Sequence, residues 1–206
     1  MRIDIFTAQP DRVGRYKVQF SDGTVLRLYK QTVQDFGLYT GLELTDEEYA
    51  GLLKAAEEMS AKMRAVRIVS ASSISKRELE QRLIQKGEKP DCAKQAVTWM
   101  EELSLLDDRK TAEQIVSRCI SKGYGLSRAK QALYEKRIPK AYWDAVLEDY
   151  PDQQDAIEEY VDSHLPEKPD QKALKKVIDA LLRKGHSYGA IRRVLEQRDA
   201  LEEDYG

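Results

Sequence analysis

Cysteine and histidine are scarce in this 206-residue chain: Cys92, Cys119, His164 and His186 are the only examples of either. Zinc sites draw on ligands paired a few residues apart, and these four stand too far apart for that. Both cysteines fall inside helical patterns, where reduced, buried thiols are expected. Both histidines fall near helix ends, where a partly exposed structural role is expected. No run of about 20 apolar residues provides a membrane span, and no basic-flanked apolar leader opens the chain. A cytoplasmic protein with no membrane contact is expected. Phosphate loops are missing too. Gly123-Tyr124-Gly125 follows a helical pattern rather than a strand, and no Gly-Lys-Ser/Thr completes it. Asp107-Asp108 reads as a helix start and Glu158-Glu159 as a solvated face, not as catalytic pairs. Glu202-Glu203-Asp204 reads as a frayed acidic tail. No catalytic residue, no metal and no cofactor is expected, and the chain reads as a non-enzyme.

What is present is charge. Charged residues make up 34% of the chain and hydrophobic ones 41%, as in an elongated helical protein with much solvated surface. The net charge of −2 hides blocks of opposite sign. Counted along the sequence, residues 60–140 carry +8, 141–170 carry −9 and 171–198 carry +6. Block charge of this kind bears on partners more than the mean does.

The first 44 residues have a period of two. Arg15–Phe20 and Thr24–Tyr29 flank Ser21-Asp22-Gly23, a hairpin signal. Pairing across Asp22-Gly23 would place Tyr16, Val18, Phe20, Val25 and Tyr29 on one face. Ile3, Ile5 and Phe6 could add a third strand, which an isolated hairpin needs. From Thr45 the period becomes 3.6. Thr45-Asp46-Glu47-Glu48 is a capping box, opening a helix towards residue 70. Beyond the break at 70–73, every apolar set has amphipathic helical spacing.

Three segments, starting at Glu78, Arg128 and Lys176, overlay without gaps. Leu83, Leu133 and Leu181 coincide, as do Lys86, Lys136 and Lys184, then Gly87, Arg137 and Gly185. Each is a helix, a tight turn and a second helix, preceded by one more helix at about 46–70, 108–122 or 153–164. Gly87 and Gly185 suit a helix C-cap with positive φ. Arg137 does not, so its turn is expected to close differently, aided by Pro139. The fold expected is mainly α: three tandem three-helix repeats, helix-turn-helix-like and nine helices in all, after a small N-terminal β-hairpin region. The boundaries are 1–44 for the hairpin region, then 45–104, 105–150 and 151–206 for the repeats.

Basic and aromatic residues gather at two turns. Arg118, Lys122, Tyr124, Arg128 and Lys130 surround Gly123. Arg183, Lys184, His186, Tyr188, Arg192 and Arg193 surround Gly185. Lys136 joins them as the shared lysine of the overlay. Such groups neutralise phosphates and stack bases, or grip an acidic protein surface.

Leu105-Leu106-Asp107-Asp108-Arg109, the run Lys122-Gly123-Tyr124-Gly125, Lys136-Arg137-Ile138-Pro139, and Arg183–Tyr188 with Ala190–Leu195 together resemble RecX, the regulator of RecA. The resemblance covers roughly residues 60–198, and the hairpin region resembles the extension of members from low-GC Gram-positive bacteria. It implies a curved, elongated body of three-helix repeats without catalytic activity. It also implies binding to RecA and along the groove of the RecA–DNA filament. ATP hydrolysis and strand exchange would be modulated, mostly by inhibition, in recombination and repair. Single- and double-stranded DNA are further implied partners, and the molecule is expected to be a monomer. The acidic mean charge points to DNA already dressed in protein rather than to bare DNA. Two other readings stay open: a sequence-tolerant helix-turn-helix DNA-binding protein, and a helical-repeat interaction scaffold.

Overall fold

A computed structural model describes the backbone of residues 1–205 and the side chains of residues 1–198. The acidic run Glu202-Glu203-Asp204 lies outside the described side chains. The chain divides into two compact units, Met1–Leu106 and Asp107–Gly206.

The first unit opens with a three-stranded antiparallel sheet in the order β1-β2-β3, formed by β1 (Ile3–Phe6), β2 (Arg15–Phe20) and β3 (Val25–Tyr29). The hairpin register differs from the one expected. Gly23 N–H donates to Phe20 C=O at 2.9 Å, and Phe20 N–H donates to Thr24 C=O at 2.8 Å. The loop is therefore three residues, Ser21–Gly23, with Gly23 at φ 85°. Asp-Gly also serves this type I turn with a bulge, which carries the pairing one residue further. Tyr16 pairs with Leu28 and Val18 with Leu26. A one-residue slip exchanges faces, so Leu26 and Leu28 join Val18, while Val25 is exposed.

A short helix not anticipated from the sequence, α1 (Lys30–Asp35), follows. Then comes α2 (Asp46–Ala71), capped as expected. Thr45 accepts from Glu48 N–H while the Glu48 carboxylate accepts from Thr45 N–H. At 1.5 Å per residue these 26 residues span about 39 Å, and they serve two cores. The first part of α2 buries Leu52 with Ile3, Val18, Phe20, Leu28, Leu38 and Leu44. The later part buries Ala61 and Ala65 with Leu79, Leu83, Ala93, Ala96 and Met100. Those partners lie on α3 (Lys76–Gln85) and α4 (Pro90–Glu102), and the three helices pack on one another.

The second unit holds α5 (Asp108–Ser121), α6 (Leu126–Glu135), a 3-10 turn (Lys140–Tyr142) running into α7 (Trp143–Leu147), then α8 (Gln154–His164), α9 (Gln171–Arg183) and α10 (Tyr188–Tyr205). Helices α5, α6 and α7 pack mutually, as do α8, α9 and α10. Asp107 caps α5 by accepting from the amides of Arg109 and Lys110, and Asp170 caps α9. Ala112, Val116, Leu133 and Ile138 form one core; Ile157, Val161, Val177, Leu181, Ile191 and Val194 form the other. Ten α-helices appear among the described residues, one more than the nine expected, the extra one being α1.

The turn at Arg137 does not close differently. Arg137 N–H donates to Tyr134 C=O and Ile138 N–H to Leu133 C=O. Gly87 with Glu88, and Gly185 with His186, donate to the corresponding carbonyls of their own helices. Arg137 takes the left-handed conformation itself, at φ 55°. Its Cβ makes that conformation costly by about 1 kcal/mol. Arg137→Gly should therefore stabilise the protein by up to about 1 kcal/mol, and a thermal melt should show a higher Tm. An unchanged or lower Tm would mean that the arginine side chain compensates for the strain.

Candidate partner-binding surface

The surface is built where two helix-ending turns of the second unit meet. Helix α5 ends at Lys122, and Tyr124 N–H closes back on Cys119 C=O at 3.0 Å. Helix α9 ends at Lys184, and His186 N–H closes back on Leu181 C=O at 3.2 Å. The two turns are then joined backbone to backbone. Gly125 N–H donates to Lys184 C=O at 3.0 Å, and Ser127 N–H to Gly185 C=O at 3.3 Å. Neither glycine could carry a side chain here. A Cβ on Gly125 would lie 2.1 Å from Gly185 O, and one on Gly185 would lie 2.4 Å from Arg128 N. Gly185 also sits at φ 91°.

This contact brings together the backbones of two turns, distant in sequence, that each carry basic residues. Arg118 and Lys122 come from the end of α5, Arg128 and Lys130 from α6, and Arg183 and Lys184 from the end of α9. Arg118, Lys122 and Arg128 are near enough to act on one thiol. Burial pushes the Cys119 thiol up, and these three cations pull it back. Arg118, Lys122, Lys130 and Arg183 are exposed. Arg128 is half-buried and pairs with Glu135 at 3.2 Å.

Several of the expected residues have structural work. Lys122, Lys136 and Lys184 are all helix C-cap residues, as is Lys86 in the first unit. A cation there meets the negative end of the helix, which explains why the overlay repeats a lysine. Lys184 also places its Nζ 4.3 Å from the Tyr160 ring centroid, and His164 stacks on the same ring at 4.0 Å. Tyr124 is half-buried, and its carbonyl accepts from the Tyr150 hydroxyl at 2.6 Å. Burial pushes the Tyr150 phenol up to about 12, so it remains a donor. Lys136 lies at the far end of α6, about 15 Å from Gly125 along the helix. Arg192 and Arg193 stand on α10, paired with Glu196 at 2.6 Å and Asp152 at 3.7 Å.

The comparisons with known proteins can be set beside this geometry. No family model matches the chain. The curated protein "Regulatory protein RecX" of Clostridioides difficile is 28% identical, over 91% of this chain and 89% of its own length. That of Oceanobacillus iheyensis is 24% identical, over 98% of this chain and 74% of its own length. Over most of its length the chain is similar to regulatory proteins named RecX. Two crystal structures share the fold of this chain. One regulatory protein RecX superposes with a TM-score of 0.67 over 95% of this chain and 98% of its own, at 19% identity. RecX from Lactobacillus salivarius superposes with a TM-score of 0.57 over 71% of this chain and 99% of its own, at 21% identity.

Two features of the candidate surface were not visible in the sequence. His186 is buried rather than partly exposed, with 6% of its surface accessible. Its ring is held against the backbone of Gly123, and Nε2 has no partner among the described residues. Burial lowers its pKa below the usual histidine value. The neutral ring is thus the folded form, and the unfolded chain binds the proton more readily. Its stabilising contribution is full above about pH 6.5 and is lost as pH falls through the lower folded value. Thermal melts should show Tm dropping on acidification below about pH 6.5, with a shallower drop in His186→Asn; equal slopes would remove His186 as the cause.

The second feature is Tyr134, which belongs to neither of the basic and aromatic groups named in the sequence. It is 72% exposed on α6. Lys130 stands four residues before it on the same face of α6. The signal in the sequence was an aromatic outside the apolar stripe of Ala129 and Leu133. Among the described residues, no three or more His, Cys, Asp or Glu side chains gather as a metal site, and no helix is long and apolar enough to cross a membrane.

Proposed function

We propose that this chain is a cytoplasmic, non-catalytic regulator of recombination and repair. It binds a RecA-type filament on DNA and lowers its ATPase and strand-exchange activity. The single observation that carries this reading is the backbone junction between the turns at Gly125 and Gly185, beside which Arg118, Lys122 and Lys130 stand exposed. The names of the relatives support a regulatory role. A filament offers phosphates and acidic protein surface together, and Arg118, Lys122 and Lys130 can meet either. Tyr134 is a further exposed aromatic, on α6. The protein works as a monomer, and residues 45–104, 105–150 and 151–206 act as three helical repeats, in keeping with three helix groups that each pack internally.

The test is RecA ATPase on single-stranded DNA across a concentration series of this protein. Inhibition at substoichiometric amounts is expected. Arg118→Glu with Lys122→Glu should weaken it about tenfold or more while circular dichroism stays unchanged. An ATPase unaffected at every concentration would end this reading. Steeply salt-dependent DNA binding that needs no recombinase would favour a plain DNA-binding protein instead.

A further inference from the structure

A second cationic site lies within the first unit. The loop before β2, the last turns of α2 and the end of α3 enclose a cleft of about 460 Å³. Arg15, Arg64, Arg67, Arg82 and Lys86 line it, and none of its lining residues is acidic. Val13, Ile68 and Ala71 give it an apolar wall.

The guanidiniums are fastened along one side and open on the other. Arg15 holds Asp11 through Nε and Nη2, at 3.0 and 2.8 Å. Arg64 Nη1 donates to Lys86 C=O at 2.9 Å, and its Nε lies 2.7 Å from the Glu88 carboxylate. Arg67 donates from Nε to Met63 C=O and from Nη2 to the Tyr29 hydroxyl. Arg82 Nη2 donates to Glu78 at 2.6 Å. Each arginine thus keeps one terminal nitrogen with no partner among the described residues. Among the described residues, neither Lys86 Nζ nor Arg67 pairs with a carboxylate. Five cations face three carboxylates, Asp11, Glu78 and Glu88, which leaves the walls with excess positive charge. Guanidiniums fixed on one edge have already lost the freedom that binding would otherwise remove. Their open edges suit planar anions such as carboxylates.

We infer that this cleft docks an acidic protein segment in which carboxylate and aliphatic side chains alternate. The apolar wall decides between this and a nucleic-acid strand. Val13, Ile68 and Ala71 would take aliphatic groups, whereas no aromatic side chain lines the cleft to stack a base. The inference is independent of any recombinase, so its failure and that of the regulatory reading are separable.

The experiment is fluorescence anisotropy of the full chain with a short labelled peptide of alternating glutamate and leucine. A labelled oligothymidylate runs in parallel. The peptide should bind, with affinity falling as salt rises. Lys86→Glu and Arg67→Gln, measured separately, should each weaken it by about five- to tenfold. Lys172→Glu, at an exposed position in the second unit outside both basic groups, should leave it unchanged, and circular dichroism should report the fold of each variant. Peptide binding indifferent to both cleft variants overturns the inference. So does tighter binding of oligothymidylate that both variants abolish, which would make the cleft a nucleic-acid site.

Discussion

Gly125→Ala should destabilise this protein by about 3 kcal/mol or more, lowering Tm by on the order of 10–20 °C. Conformational freedom is not the cause, because Gly125 has an ordinary φ of −73°. The cause is steric. The added methyl would sit 2.1 Å from Gly185 O and 2.5 Å from His186 N, both backbone atoms that no side-chain rotation can move aside. Relief requires the two turns to part, which breaks the Gly125–Lys184 and Ser127–Gly185 hydrogen bonds. Gly189→Ala is the matching control. Nothing lies within 4 Å of its methyl position, and Gly189 belongs to α10. There the same chemical change should stabilise by about 0.5–1 kcal/mol. Denaturant titration of both variants checks the pair. A mild effect at Gly125 would refute the close approach.

Leu83→Ala should cost about 3–4 kcal/mol. Leu83 is fully buried among α2, α3 and α4, in contact with a core built largely of small alanines. Ala61, Ala65, Ala93 and Ala96 have no side-chain length with which to fill the space that a lost isobutyl group would leave. The cost therefore includes a cavity as well as lost burial. Leu103→Ala provides contrast, since Leu103 is 48% exposed, and its effect should stay within about 0.5 kcal/mol. Equal losses at the two positions would contradict the packing described for the first unit.

Features that depend on near neighbours were legible in the sequence. The Thr45 capping box, the Asp107 helix start and the amphipathic helices each rest on residues within one or two turns of one another. The overlay aligned Leu83, Leu133 and Leu181, and each is fully buried. Features that depend on distant neighbours, or on a choice between near-equal turns, were not legible. Asp22-Gly23 fits two loop lengths, and one residue of difference exchanged Val25 for Leu26 on the inner face. Arg137 gave no sign that it would accept a left-handed backbone. The candidate surface was half visible: both basic clusters could be named, but not the junction of their turns. That junction rests on Gly125, a glycine at an N-cap position where a capping side chain would hold the helix better. Burial of His186 was hidden for the same reason, because its ring packs against Gly123.

Helix α2 has a practical consequence for cutting this protein into parts. Its first half belongs to the sheet core through Leu52, and its second half to the helical core through Ala61 and Ala65. A chain trimmed to begin at residue 45 would keep the whole spar and lose the cladding of one end. Leu52, Tyr49 and Ala56 would then face water as an uncovered apolar stripe, a ready seat for self-association. The strands are less an appendage to the helices than the other half of what keeps α2 soluble.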